Sequence, residues 1–178
     1  MDFLTIFLNL KQQPCLVVGG GEVAARKVQA LIRAGAAVTV VAPELGRELT
    51  PLAAEGALCH WARPFAAEDV ADFSLIISAT NHAAVNESVA AAARLARIPV
   101  NVVDCPELCS FIFPAIVDRS PVVVAVSTGG ASPVLARLIR ARLESALPAA
   151  YGRLGQLAEQ FRQRVKGSLP EPRQRRRF

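Results

Sequence analysis

The first hundred residues alternate short continuous apolar runs with longer amphipathic or alanine-rich stretches. Leu16 to Val18 predicts a buried strand, and Glu22 to Ala34 a helix whose end Gly35 marks. Ala37 to Ala42 is the next strand, closed by Pro43, and Glu44 to Glu55 the next helix, stopped by Gly56. A short strand over Ala57 to Trp61, a fourth over Phe73 to Ala79, an alanine-rich helix over Asn81 to Ala96 and a fifth strand over Pro99 to Val103 complete the series. Strands without polar alternation, separated by helices, predict a parallel sheet covered on both faces, of the doubly wound Rossmann type. In the usual winding the first and fourth strands lie side by side, and ligands bind beyond their carboxyl ends. Thr80, Asn81 and His82 come directly after the fourth strand and Asp104 ends the fifth, so chemistry is expected on that rim.

Beyond Asp104 the pattern changes. Phe111 to Val117 and Val122 to Ser127 read as two strands around an Asp118-Arg119-Ser120-Pro121 turn, and they are too apolar for exposure, so a homodimer is expected to cover them. Ser132 is placed as the N-cap and Pro133 as the first residue of a helix with Leu135, Leu138, Ile139, Arg142 and Leu143 at helical spacing. A second helix is expected from about Ala149 to Lys166, broken by Pro170-Glu171-Pro172. The fold class is α/β: a Rossmann-type parallel sheet over residues 1–113, a small α+β dimerisation unit over 114–147, and a helical segment with a basic tail over 148–178, read as the start of a truncated helical domain.

The junction of the first strand and helix, Val18-Gly19-Gly20-Gly21-Glu22-Val23-Ala24, is a G-x-G-x-x-A turn. Gly19 permits the tight bend, Gly21 admits a pyrophosphate against the backbone, and small Ala24 lets helix and strand pack closely. The helix N-terminus then offers free N–H groups to a diphosphate. A glycine-rich turn can also be purely structural, but its position between strand and helix points to a dinucleotide.

Composition narrows the class. The chain has 178 residues, 52% apolar and 20% charged, which suits a folded, core-rich protein. No apolar run reaches the roughly 18 residues of a membrane span, and the N-terminus lacks the basic region and cleavage site of a signal peptide. A cytoplasmic location, without membrane partners, is therefore expected. Cys15, Cys59, Cys105 and Cys109 show no CxxC pairing and read as reduced and structural, with a metal or redox role open for the pair beside Asp104. Residues 1–118 carry 8 basic and 12 acidic side chains, whereas 119–178 carry 12 basic and 3 acidic. That asymmetry suits an anionic partner or a solvated helical face, and the terminal Arg173 to Arg177 run suits the latter. Aromatic residues make up 6% of the chain and no nucleic-acid fold is recognisable, so no nucleic-acid partner is expected. An NAD-sensing or nucleic-acid-binding module is the non-enzymatic rival.

Taken in order, GGGEVAARK, Ser78 to Thr80 (SAT), Asn101 to Asp104 (NVVD), Ser110 to Pro121 (SFIFPAIVDRSP) and Ser127 to Arg140 (STGGASPVLARLIR) make the chain resemble the N-terminal region of siroheme synthase, the precorrin-2 dehydrogenase and sirohydrochlorin ferrochelatase family. The resemblance covers nearly the whole chain. In bifunctional members a uroporphyrinogen III methyltransferase comes next, a part absent from this sequence. The resemblance implies NAD-dependent oxidation of precorrin-2 to sirohydrochlorin, then insertion of Fe²⁺, a substrate, to give siroheme, both at one site. It further implies Asp104 as the base, with transient contact to iron and no permanent metal site. Gly19, Gly21, Glu22 and Val23 would surround the cofactor diphosphate, Pro43 and Glu44 the adenosine ribose, and Thr80 and Asn81 the facing side of the crevice. The acidic tetrapyrrole calls for fork-shaped donors, for which Arg119, Arg137 and Arg140 are candidates, along with the Ser127-Thr128-Gly129 loop.

Several positions carry a second reading. Asp104 is equally a strand-end carboxylate that satisfies turn N–H groups, Asp118 anchors its turn or pairs with Arg119, and Arg140 and Arg142 sit on what could be an exposed helix face. Ala42 and Pro43 replace the usual acid at the end of the second strand, with Glu44 next and Arg47 one turn on, so NADP stays open. The alternative function is a precorrin-2 dehydrogenase without chelatase activity.

Overall fold

A computed structural model describes residues 3–168; the predicted break at Pro170-Glu171-Pro172 and the Arg173 to Arg177 run lie outside the described residues. The chain divides into two compact units, with the division between Ile112 and Phe113.

In the first unit, strands β1 (Pro14–Val18), β2 (Ala37–Val41), β3 (Cys59–Trp61), β4 (Leu75–Ser78) and β5 (Val100–Val102) form one sheet in the order β3-β2-β1-β4-β5. Every pairing in it is parallel. Helices α1 (Glu22–Arg33), α2 (Leu49–Ala54) and α3 (Ala83–Leu95) connect the strands. β1 occupies the centre, and Cys15, Leu16 and Val17 are wholly inaccessible there. This burial explains why the strand is apolar at every position: helices cover both faces. α1 buries Ala24, Ala25, Val28 and Leu31 along one stripe, and α3 buries Val89, Ala90 and Ala93. Small alanines on these stripes let the helices approach the sheet closely.

Two departures from expectation have their cause in hydrogen bonds to other elements. The helix predicted over Glu44 to Glu55 is shortened to Leu49–Ala54. Residues 43–48 instead form a loop tied to the glycine turn, with Gly46 N–H donating to the Gly20 carbonyl at 2.8 Å and accepting on its own carbonyl from the N–H groups of Leu49 and Thr50. The strand predicted over Phe111 to Val117 begins only at Ala115, because the preceding segment is laced back onto β5. Ser110 N–H donates to Val100 O at 2.8 Å, and the Asn101 amide donates to Phe111 O at 3.0 Å.

The second unit holds the antiparallel hairpin β6 (Ala115–Arg119) and β7 (Val122–Val126), then α4 (Pro133–Ala146) and α5 (Ala150–Ser168). Asp118 and Arg119 belong to the strand, and the turn is confined to Ser120-Pro121, joined by a cis peptide bond. Asp118 accepts from both the N–H and the hydroxyl of Ser120, at 2.9 and 2.6 Å. At α4, Ser132 caps the helix by accepting from Leu135 N–H at 3.2 Å, with Pro133 at the first turn. Gly152 and Gly155 on α5 lie so close to the Ser120-Pro121 turn that a Cβ would fall 2.7 Å from Arg119 O and 2.9 Å from Pro121 Cγ, respectively.

Among the described residues of the first unit, one charged group is buried. Asp69 is 5% exposed and receives a forked pair from Arg63 at 2.5 and 2.7 Å, plus the N–H of Ala66 at 2.8 Å. The Arg63 guanidinium, with its hydrogen bonds, holds the Asp69 carboxyl below its ordinary value. That stabilisation is present above the unfolded carboxyl pKa of about 4 and is lost as pH falls through the lower folded value. Arg63→Met should therefore lower the urea midpoint at pH 7, and the difference from the parent should shrink in melts taken near pH 3. Gly20→Ala should cost about 1–3 kcal/mol in the same assay, because the new Cβ would stand 2.1 Å from the backbone oxygen of Glu44.

Candidate functional site

The glycine turn is built where three strands end. Gly19, at φ +117°, donates its N–H to Val41 O at 2.9 Å, while Ala79 N–H donates to Val18 O at 2.8 Å. A Cβ on Gly19 would lie 2.3 Å from Ala79 O, so the turn touches the loop after β4 with no room for a side chain. Gly20 is pressed just as closely on the other side, against the loop after β2. Gly21 differs: a Cβ there would meet nothing within 4 Å. It is the N-cap of α1 and supplies no side-chain acceptor, so the first turn's N–H groups, including those of Glu22 and Val23, receive no cap from Gly21. An uncapped helix start beside open space is the arrangement that accepts a phosphate oxygen.

That open space is a cleft of about 1290 Å³ along the carboxyl ends of the strands. It exceeds the ~300–1,000 Å³ typical of a single small-ligand site, so it has room for a dinucleotide and part of a second molecule. Pro43 and Glu44 line it beyond β2, with Pro64 and Phe65 alongside. Gly19, Gly21, Glu22 and Val23 line its middle, and Thr80, Asn81 and Asp104 the side beyond β4 and β5. The structure thus brings together in one cleft every cofactor and acid candidate from the first unit. Arg47 is exposed and is absent from that lining.

Asp104 stands exposed at φ +60°, in the left-handed turn that closes β5, where Cys105 N–H donates to Val102 O at 3.3 Å. Lys27, half-buried on α1, is the cation that feels it. Burial pushes the Lys27 ammonium down, with Arg26 adding to the fall, and Asp104 and Cys109 pull it back up. Burial raises the Cys109 thiol, whose sulfur accepts from Val102 N–H at 3.2 Å and contacts Val102 O at 3.1 Å. Cys15, in the core, is pushed up to about 11 by burial. Both shifts keep the thiols protonated, in line with a packing role. Among the described residues, no group of three or more His, Cys, Asp and Glu side chains gathers to hold a metal ion.

The remaining candidates belong to the second unit. Arg119 donates to Leu147 O at 2.9 Å and Asp118 O at 3.0 Å, and its guanidinium lies 3.6 Å from Glu144. Arg140 pairs with the same Glu144 at 3.0 Å across one helical turn, and Arg137 is exposed. Ser127 accepts from Gly129 N–H at 3.0 Å, and the Thr128 hydroxyl accepts from Ser132 N–H at 3.0 Å, so this loop braces the start of α4. Gly129 takes φ +64° there.

Two residues that matter to the cleft are missed by reasoning from sequence. Gly20 is the variable position of the motif, and nothing in the sequence shows that the loop after β2 folds onto it. Asn86 also lines the cleft and is 6% exposed. Its signal was available: it is the one polar residue on the α3 stripe that otherwise buries Val89, Ala90, Ala92 and Ala93.

Comparison with known proteins places the whole chain. Residues 6–115 match the family described as "Putative NAD(P)-binding", 119–146 the "Sirohaem biosynthesis protein central" family, and 150–178 the "Sirohaem synthase dimerisation region". The chain is 57% identical over 178 residues to the siroheme synthase of Methylococcus capsulatus and 59% identical over 182 residues to that of Nitrosospira multiformis. All of this chain is covered in both alignments, but it spans only 38% and 39% of those relatives' lengths. A solved structure named "SirC, precorrin-2 dehydrogenase" superposes with a TM-score of 0.75 at 33% identity, covering 90% of this chain and 79% of that one. No helix among the described residues is long and apolar enough to cross a membrane. The chain therefore belongs to the family of siroheme synthase N-terminal regions, joining an NAD(P)-binding domain of parallel Rossmann type to that family's central and dimerisation regions.

Proposed function

We propose that this chain oxidises precorrin-2 to sirohydrochlorin with NAD⁺ and inserts Fe²⁺ into the product to give siroheme, using one cleft and one carboxylate for both steps. The observation that carries the reading is the placement of Asp104 on the rim of the same cleft that holds the uncapped start of α1. The structural likeness to a protein named precorrin-2 dehydrogenase supports the oxidation.

Bound NAD⁺ would accept a hydride from the reduced macrocycle. The chain's part is to hold the diphosphate on the N–H groups after Gly21, to keep the adenosine end near Pro43 and Glu44, and to leave the nicotinamide end beside Thr80, Asn81 and Asp104. Glu44, exposed at the end of β2, suits a ribose with free hydroxyls and repels a 2′-phosphate, which favours NAD⁺ over NADP⁺. Loss of hydride leaves one proton to be removed per oxidation, and the Asp104 carboxylate is the group at the rim able to take it. Chelation releases two pyrrole N–H protons as Fe²⁺ enters, and the same carboxylate can collect them in turn. The second unit's Arg119, Arg137 and Arg140 and its Ser127-Thr128-Gly129 loop are assigned to the substrate's carboxylates, with Arg137 exposed and available for a forked contact.

The working form is a homodimer, supported by the match to a dimerisation region. On α4 Leu135 and Leu138, and on α5 Leu154, Leu157 and Phe161, are each about half exposed. A monomer would leave these side chains in water at a cost of about 25 cal/mol per Å². Leu138→Glu with Leu157→Glu should halve the mass measured by light scattering while the far-ultraviolet spectrum stays unchanged.

The enzymatic test uses anaerobic precorrin-2 with NAD⁺, and then Fe²⁺. NADH should accumulate and the siroheme spectrum should then appear, and Asp104→Asn should lower both rates at least a hundred-fold, within the range of general-base effects of about 10²–10⁴. If NADH forms and iron addition gives no siroheme, the chain is a dehydrogenase alone. An Asp104→Asn variant that keeps both rates would end the shared-base reading.

A further inference from the structure

The loop after β4 is held by a buried polar chain that neither the oxidation nor the chelation uses. Ser78, the last residue of β4, is wholly inaccessible and donates its hydroxyl to Asn86 Oδ1 at 2.7 Å. The Asn86 amide in turn donates to the carbonyl of Thr80 at 3.1 Å. Asn86 is anchored from the helix side as well, through its N–H on His82 O at 3.0 Å. A buried amide with both ends engaged is held in one orientation at its Thr80 end, because turning it over would set the amide oxygen against the Thr80 carbonyl oxygen, two acceptors with no proton between them. The opposite side of the loop is limited by Gly19, which the Ala79 carbonyl touches.

This clamp fixes a peptide plane. The Thr80-Asn81 bond is trans, so its C=O and N–H point in opposite directions. With the oxygen drawn down onto Asn86, the Asn81 N–H is turned the other way, on a residue that lines the cleft. Among the described residues nothing accepts from that N–H. The strand order puts it on the β4 side of the glycine turn, away from Pro43 and Glu44.

We propose that Asn86 is a positioning residue for the nicotinamide half of the cofactor: by holding the Thr80 carbonyl inward, it presents the Asn81 N–H as a donor to an oxygen of the bound nicotinamide riboside. The inference rests on the dinucleotide reading of the cleft and adds which element discriminates the whole dinucleotide from its adenosine diphosphate half. A purely structural role for Asn86 would treat NAD⁺ and ADP alike; a positioning role would not.

Calorimetric titration of the purified full chain with NAD⁺ and, separately, with ADP distinguishes them. The parent should bind NAD⁺ more tightly than ADP. In Asn86→Leu the NAD⁺ affinity should fall about ten-fold, the loss expected for one hydrogen bond of about 1.4 kcal/mol, while ADP affinity stays within two-fold. Asn86→Leu leaves the Ser78 hydroxyl without its acceptor, so the pair Asn86→Leu with Ser78→Ala, which removes both polar partners, is measured beside it and should show the same selective loss. Equal losses for both ligands, or no loss for either, would overturn the role of Asn86. A parent chain that binds neither ligand would instead overturn the dinucleotide reading of the cleft.

Discussion

The cleft exists because two loops can press against the glycine turn closer than any side chain would allow. Gly19 meets the carbonyl of Ala79 and Gly20 that of Glu44, each at a separation from the would-be Cβ well under 3 Å. These are backbone contacts, so neighbouring side chains cannot swing aside to relieve a substitution. The ends of β1, β2 and β4 are thereby drawn to one point, and the third glycine, Gly21, is the one left facing open space. Three consecutive glycines have three different jobs: two admit protein, and the third leaves room for a ligand. The geometry also explains the shortened α2, since a helix beginning at Glu44 would carry the chain away from Gly20 before Gly46 could donate to it.

Much of this was legible in the residues. The central strand β1 is apolar at every position and its neighbours nearly so, as a sheet covered on both faces demands, and Gly35, Pro43 and Ser132-Pro133 mark element ends that the structure keeps. What the residues did not disclose is tertiary in origin. Nothing local in Pro43-Glu44-Leu45-Gly46 says that its backbone is claimed by a glycine more than twenty positions earlier, and a helix is the reasonable expectation there. Phe111 to Val117 has a strand's composition, yet its first residues are held by hydrogen bonds to β5 and cannot join the hairpin. Asn86 had a visible signal, a polar residue on an apolar helical stripe, but its partners Ser78 and Thr80 become apparent only when β4 and α3 are placed together.

The two buried polar groupings of the first unit show different physics. Arg63 and Asp69 form a charged pair near the surface, where the arginine keeps much of its solvation and the carboxylate is satisfied by three donors. Its consequence is pH-dependent stability. Ser78 and Asn86 are uncharged and buried, the Thr80 residue is half-buried at the cleft, and each atom's partner dictates the next one's orientation. Such a chain adds little net free energy over water but favours one arrangement, because turning the amide over would bring its oxygen against the Thr80 carbonyl oxygen. The first kind of interaction sets how firmly the domain folds. The second sets the direction of a peptide in the cleft, which bears more on what the cleft can hold.

Asp104 brings the structural and chemical readings into one residue. As a turn residue it must take φ +60°, a conformation that glycine, asparagine and aspartate adopt with least strain. Of those three, only aspartate offers a carboxylate. The turn that ends β5 thus narrows the residue choice on steric grounds, and the proposed proton transfer at the rim would narrow it again to the residue found. The requirement to close a strand and the proposed requirement for a base at the mouth of the cleft are met at the same position without competing. Exposure would suit the proposed role, since a carboxylate that collected protons over successive steps would have to pass them to solvent, and Asp104 is open to it. Lys27 stands behind, half-buried on the helix that begins at the glycine turn, so the helix proposed to hold the diphosphate also supplies the nearby positive charge. The proposed diphosphate contact and this positive charge are in that way carried by one helix, while Asp104 itself sits in the turn after β5.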